Sequence, residues 1–320
     1  MKIGFHQFVI NPEFPVNRML SSNKHMAVAD DLHCRILVLE INQKPLYHLS
    51  IDTVEVHLSY RNQIKTTIES VLNKEIDLIV SATHSHYCPC LKTDEAYKAF
   101  LLDKLKENIK LVKMIEAETL RYCFNYAFFD KTGKSRISDQ DSKNIFAETI
   151  SLFADDQRVG TILIYNSHPT TQKMQQGDFT AEYPGYVITR LRQEYPNEFF
   201  TFMLGPAGDI SSRFTRRKQD YEEMEYLGEL LVKEYQRQLE KPCIKKAIDK
   251  FGYKEVILPI KRGPVDLDIE IPVNIVGRER ETIETAIMDF KSGKRKLDIA
   301  QQPAEHLFCH LTLSDDYSII

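Results

Sequence analysis

The chain has 320 residues, 42 Lys and Arg against 46 Asp and Glu, a formal net charge of -4 and a hydrophobic share of 42%. That length suffices for one large α/β domain, or two modest ones, with a sizeable core. The slightly acidic balance excludes the basic surface of a nucleic-acid binder, and no run of about eighteen apolar residues offers a membrane-spanning helix.

The N-terminus, Met1-Lys2-Ile3-Gly4-Phe5-His6-Gln7-Phe8, begins with a strand-like pattern and lacks the apolar stretch and cleavage site of a secretory signal. A cytoplasmic location is expected on that ground. His33 to Ile41 and Pro45 to Asp52 alternate and are parted by Asn42-Gln43-Lys44, which reads as a hairpin. Thr53 to Asn73 carries Val54, Leu58, Ile64, Ile68 and Leu72 at helical spacing, and Asp77 to Thr83 follows as a strand. Thr93 to Glu118 is helical in period and Leu120 to Phe129 is aromatic and strand-like. Residues 131 to 145, rich in Lys, Ser, Asp and Gly, read as a loop and a candidate rim. Val159 to Tyr165 and Phe199 to Leu204 are apolar strands, with a helix over Tyr183 to Tyr195 between them. Arg216 to Leu239 is amphipathic and helical, with Tyr221, Met224, Leu227, Leu231 and Tyr235 on one face. Strands are expected at Lys254 to Ile260, Val265 to Val276 and His306 to Leu313, and a helix at Arg280 to Phe290. The sequence has no visible internal repeat. Its basic clusters at 213–218 and 291–296 alternate with acidic stretches and read as solvated surface.

Three strand ends carry the chemistry. Ala82-Thr83-His84-Ser85-His86 closes an apolar run, and the strand period of two puts both imidazoles on one face. Such a pair supplies a zinc ligand and an acid/base group, or merely finishes a strand. His168 in Tyr165-Asn166-Ser167-His168-Pro169-Thr170 stands before a proline that stops the strand, and sites of open α/β folds gather at such ends. Gly205-Pro206-Ala207-Gly208-Asp209-Ile210-Ser211-Ser212 is rich in backbone donors. It can serve a developing oxyanion and present a hydroxyl, or be a plain loop with Asp209 or Ser211 as helix cap. The six cysteines, Cys34, Cys88, Cys90, Cys123, Cys243 and Cys309, are dispersed apart from Cys88-Pro89-Cys90, which argues against a disulfide framework. Beside His86, that pair offers metal binding or redox sensing, or is simply two reduced thiols.

Taken in order, over about residues 3 to 215, these segments resemble the neutral/alkaline non-lysosomal ceramidase family. The family's Ala-Thr-His-Thr-His is similar to residues 82–86, its His-Pro-Thr to His168-Pro169-Thr170, and its Gly-Asp-Val-Ser to Gly208-Asp209-Ile210-Ser211. Weaker similarity covers Asp31 to Arg35, Ser135-Arg136-Ile137 and Glu182 to Tyr186. The resemblance implies that His84 and His168 coordinate Zn2+ and that His86 stands beside the metal as a hydrogen-bonding or acid/base group. It further implies that Ser211 is the essential serine, nucleophilic or substrate-orienting, with Asp209 in the same motif. Arg136 matches a substrate-contacting arginine, its other reading being a solvated loop cation. The chain departs from the family pattern at Tyr87-Cys88-Pro89-Cys90, at Ser212-Arg213, and at Glu182, where an aspartate is usual. A glutamate ligand and a tyrosine that the family supplies farther on have no visible counterpart. Residues 1–320 are accordingly expected to be one ceramidase-like catalytic domain lacking its C-terminal part, with His86, Asp178, Glu182 or Asp209 as possible substitute ligands.

The expected fold is α/β, a mixed β-sheet core with flanking helices and the site at strand C-terminal ends. The expected function is zinc-dependent hydrolysis of the amide bond of ceramide or a related N-acyl amide, with a lipid or small-molecule amide as the partner. The alternative is a non-catalytic relative that binds a ligand or partner without turnover.

Overall fold

Neighbouring side chains of a strand leave on opposite faces, and His33–Glu40 is buried at Cys34 through Leu39 because both its faces are covered. Ile36 and Val38 pack with helical residues such as Tyr60, Ile64 and Leu101, whereas Leu37 and Leu39 pack with Leu152, Ile162 and Ile164 of a second sheet. In the second sheet Leu163 and Tyr165 turn to helical Val187 and Leu231, while Ile162 and Ile164 turn inward. The result is four layers, helices, sheet, sheet, helices, in a computed structural model that describes residues 1–18, 23–41, 44–136, 145–172, 178–260, 270–273, 275, 277–292, 304–315 and 317–319. This is the expected α/β architecture, with two mixed sheets in its core.

The first half runs β1 (Lys2–Val9), β2 (His33–Glu40), β3 (Leu46–Ile51), α1 (Leu58–Leu72), β4 (Asp77–Ala82), α2 (Glu95–Asn108) and β5 (Lys113–Glu116). Its sheet has the order β4-β3-β2-β1-β5, with β3 and β4 parallel and the other pairs antiparallel. The second half runs β6 (Leu120–Phe128), β7 (Phe146–Ala154), β8 (Gln157–Tyr165), α3 (Glu182–Glu194), β9 (Phe199–Leu204) and α4 (Tyr221–Glu240), and then the two-residue strand Lys246–Ala247. Its order is β9-β8-β7-β6 with Lys246–Ala247 at the edge, and only β8 and β9 are parallel. The two halves therefore share one topology. The sequence hides this repeat because what recurs is the order and pairing of elements, not residue identity.

Several boundaries differ from those read in the sequence. The helix expected over 93–118 stops at Asn108, and Lys113–Glu116 instead pairs with Lys2–Phe5. That pairing uses backbone groups of an otherwise open sheet edge, a gain invisible to local periodicity. Strand β7 went unread in the sequence. Residues 137–144 of the expected loop and most of the strand expected over 265–276 lie outside the described residues. The C-terminal region forms a third sheet of β10 (Gly252–Ile260), β11 (Ala304–Ser314) and β12 (Tyr317–Ile319), with α5 (Gly277–Lys291) between its first two strands. Leu311 and Leu313 of β11 enter the core between the main sheets. The Tyr253 hydroxyl and the Arg61 guanidinium both donate to the Leu78 carbonyl, and Arg61 also pairs with Glu255, which fastens the third sheet to α1 and β4.

Cys123 on β6 is disulfide-bonded to Cys243 beyond α4, a cross-link the dispersed cysteines did not suggest. Such bonds persist in oxidising compartments, so the cytoplasmic expectation gains no support. Among the described residues no helix is long and apolar enough to cross a membrane.

His48 on β3 is buried between the main sheets beside a small apolar cavity lined by Leu37, Leu152 and Met203. Its Nε2 meets Ser81 Oγ at 2.8 Å and its Nδ1 has no partner. Burial pushes the imidazole down to about 4, against an ordinary value near 6.5. The unfolded chain therefore takes up this proton first. Stability is full above about pH 6.5 and falls as the pH drops towards 4, by on the order of 3 kcal/mol from this group. His48→Leu should flatten that part of the acid limb in urea unfolding measured from pH 7.5 to 4.5. An unchanged slope would show that His48 does not carry it.

Candidate metal centre

The loops after the parallel strands of the two halves meet at one place. On the first, Thr83 and His84 continue the sheet ladder through amides bonded to the Ile51 and Thr53 carbonyls, at 3.0 and 2.9 Å. The chain then turns sharply, because His84 holds a left-handed φ of 67°. A non-glycine residue in that region costs free energy and persists only where its surroundings over-determine it. Here the ring does so: His84 Nδ1 lies 2.7 Å from the Val54 carbonyl. The base of that loop is anchored by the buried pair Arg35–Asp52 at 2.9 Å, with the other Asp52 oxygen accepting the His33 amide.

In the second half His168 bonds its amide to the Ile210 carbonyl at 3.0 Å and its Nδ1 to the Ala207 carbonyl at 2.6 Å. Carbonyls only accept, so each Nδ1 carries the hydrogen and each Nε2 presents a lone pair. Those two Nε2 atoms face each other at 3.1 Å, and His86 Nε2 stands 3.3 Å from that of His84. Two lone pairs at that distance repel unless a cation lies against both. The donor set, neutral imidazoles with backbone carbonyls fixing the tautomers, fits zinc and other borderline metals. Among the described residues the group able to hold an ion consists of His84, His86 and His168.

His86 differs from its neighbours, since no described carbonyl holds its Nδ1. Burial, followed by His84, His168 and Arg136, pushes it down to about 4, and burial likewise lowers His168. Ser211 is buried and its backbone bridges that of His168. Its hydroxyl accepts the Arg213 amide at 3.2 Å, which is a capping contact. Arg136 donates its amide to the Asp209 carbonyl at 2.6 Å and Nη1 to Gly208 at 3.3 Å. Asp209 and Asp178 are exposed. Cys88 and Cys90 are buried free thiols, and burial drives Cys88 far above its ordinary value, so it offers no thiolate.

Glu182 is fully buried with a left-handed φ of 57°. Its carboxyl accepts from the Thr171 and Gln172 amides at 2.7 and 3.2 Å and from Thr171 Oγ1 at 2.9 Å, although burial pushes it up to about 7. Two residues earlier, the Thr180 carbonyl accepts Ser85 Oγ at 2.8 Å. One turn thus clasps both histidine loops. Asp30 holds it from behind, through Thr180 Oγ1 at 2.5 Å and the Ala181 amide at 2.8 Å.

No protein-family model matches the chain, and no curated protein does. Solved structures share its fold, among them two ceramidases. "Crystal Structure Analysis of neutral ceramidase from Pseudomonas aeruginosa" aligns with a TM-score of 0.69 and 12% identity over 98% of this chain and 60% of that one. "Ceramidase complexed with C2" aligns with a TM-score of 0.68 and 11% identity over 81% of this chain and 46% of that one. The fold is ceramidase-like, and the chain spans about half the length of the solved structures it matches.

His84→Ala and His168→Ala should each weaken zinc binding by more than about 100-fold, beyond the loss of an outer partner, as read by competition with a chromogenic chelator. Wild-type affinity in either variant would sink the metal assignment. Because burial lowers both His86 and His168 below the ordinary imidazole value, their protons do not compete with zinc at neutral pH, and bound zinc should be retained there and released as the pH falls into the acid range.

Proposed function

We propose that the chain is a zinc-dependent hydrolase that cleaves the amide bond of a ceramide or a related N-acyl amide. The observation that carries this reading is the pair of Nε2 lone pairs facing at 3.1 Å, at strand ends of a ceramidase-like fold. His84 and His168 hold the ion, each ring locked by its carbonyl. When bound, zinc supplies Lewis acidity, polarising a carbonyl and lowering the pKa of water. His86 is the proton carrier. Its ring is not tied to one tautomer by a described carbonyl, and it is neutral at working pH, so it can accept a proton at one nitrogen and return it to the leaving amine. Arg136 orients the substrate from the Gly208–Asp209 turn, and Ser211, whose backbone bridges that of His168, supplies a hydroxyl to the substrate.

The test uses the zinc-loaded full chain with N-acylsphingosine and shorter N-acyl amides, scored by release of free amine. Turnover is expected to vanish on chelation and return with zinc. His86→Ala should lower kcat by about 100-fold or more while zinc affinity stays within tenfold. Parallel loss of zinc would make His86 a ligand instead. Ser211→Ala should lower kcat at constant zinc content, whereas a fall in Tm alone would assign it the cap of Ser212–Phe214. Tight zinc with no turnover of any amide would favour a non-catalytic ligand-binding relative.

A further inference from the structure

Guanidiniums from other parts of the chain and from the Ser211 segment itself reach the loops that carry the histidines and Ser211. Arg216 donates Nη1 to the Thr170 carbonyl, two residues beyond His168. Arg136 is fixed to Gly208 and Asp209, within the loop that holds His168 Nδ1. Arg18 is buried with its guanidinium 5.8 Å from the Tyr87 ring centroid, next to His86, and its backbone bridges Pro89. Arg213, two residues after Ser211, is exposed, and its charge acts on Arg216. Among the described residues no ion pair joins Arg213 or Arg216 to a carboxylate.

Among the described residues the acids nearby do not balance these charges. Glu182 is sealed from solvent with its oxygens occupied by Thr171, Gln172 and Tyr183. Asp209 is the one acid in segments 84–90, 166–172 and 205–216, and its residue is exposed. Among the described residues, then, these loops carry more guanidinium than carboxylate in a chain whose net charge is -4. Neutral imidazole ligands leave a bound divalent cation unneutralised, which adds to that positive charge. The Arg216 fork also meets the Gln219 side-chain amide oxygen through both Nη atoms, a neutral contact that an anion can displace, and a guanidinium matches a carboxylate or phosphate in two-point geometry.

We infer that the amide taken by this site bears an acidic group, carboxylate or phosphate, on its amine side, and that Arg216 and Arg213 are the residues that select it. An N-acyl amino acid fits this chemistry better than a neutral N-acyl amino alcohol. The inference rests on the hydrolase reading for its substrate but not for its binding site.

The test compares three probes of equal acyl length on the zinc-loaded full chain: N-lauroylglycine, N-lauroylethanolamine phosphate and neutral N-lauroylethanolamine. Calorimetry gives Kd and amine release gives kcat/KM. The acidic probes are expected to bind about tenfold more tightly or better, with an advantage that shrinks as salt rises. Arg216→Ala should remove most of that preference, Arg216→Lys should restore part of it, and Arg213→Ala gives an independent variant if the first fails to fold. Preference for one acidic probe names the group. Equal binding of all three probes would overturn the inference. So would a preference that survives both alanine variants, since that is capture by the metal alone. An arginine-dependent preference with no turnover would leave the acid site standing and overturn the hydrolase reading.

Discussion

The centre depends on two hydrogen bonds, from His84 Nδ1 to the Val54 carbonyl and from His168 Nδ1 to the Ala207 carbonyl. An untethered imidazole tautomerises and turns, so it offers a lone pair only part of the time. A ring donating from Nδ1 offers Nε2 continuously and in one direction. Both acceptors are backbone atoms, placed by the folding of the chain and not by any side chain that substitution could remove. The left-handed backbone at His84 belongs to the same constraint. An ordinary extended residue there would continue the strand past the centre, and the turn is what lets His84 and His86 both reach it.

The shared topology of the halves explains why four loops are available to converge. In each sheet the two parallel strands end side by side, so each half contributes the loop after its third strand and the loop after its fourth. In the first half the third-strand loop gives the orienting carbonyl and the fourth gives His84 and His86. In the second the roles exchange: the third-strand loop gives His168 and the fourth gives the carbonyl of Ala207. Packing the sheets face to face, through Ile3, Leu37 and Leu39 against Ile150, Leu152 and Ile162, brings the two sets together. Core packing and site geometry are therefore one problem in this fold, and a slip in strand register would separate the histidines as surely as it would expose the core.

Much of this was legible in the sequence. The strand at His33 to Ile41 is legible, although its alternation points to one covered face where the structure covers both, and the histidines at 84, 86 and 168 stand out because each follows an apolar run. Glycine and proline at 205–208 mark the third loop. Other features were not legible for physical reasons. The acceptors at Val54 and Ala207 are carbonyls, which every residue possesses, so composition cannot single them out. Strand β5 is recruited by a sheet edge more than a hundred residues away in sequence, and nothing local competes with the helical period of α2 until that edge exists. The clasp at Glu182 was visible only as a carboxylate in a weakly similar motif. Its function as a tie between loops depends on Thr171 and Ser85, which the sequence places 11 and 97 residues away from it.

Burial around the centre sets its charge as well as its shape. Alongside the buried Arg35–Asp52 pair, the loops are tied by contacts that bring no carboxylate to the imidazoles, such as a hydroxyl on a carbonyl and an amide on the Glu182 carboxyl pushed up to about 7. A carboxylate brought close enough to ligate a metal would stabilise the ion, but it would also cancel the field at the pocket mouth. Among the described residues this chain offers only imidazoles to the ion. Neutral imidazoles would leave the charge of an ion uncompensated, where a carboxylate ligand would cancel part of it, and in the proposed site that charge adds to the guanidiniums of Arg136, Arg213 and Arg216. On the proposed reading, affinity for the metal and attraction for an acidic ligand are set in opposite directions by the same choice of ligand, and an all-imidazole set favours the acidic ligand.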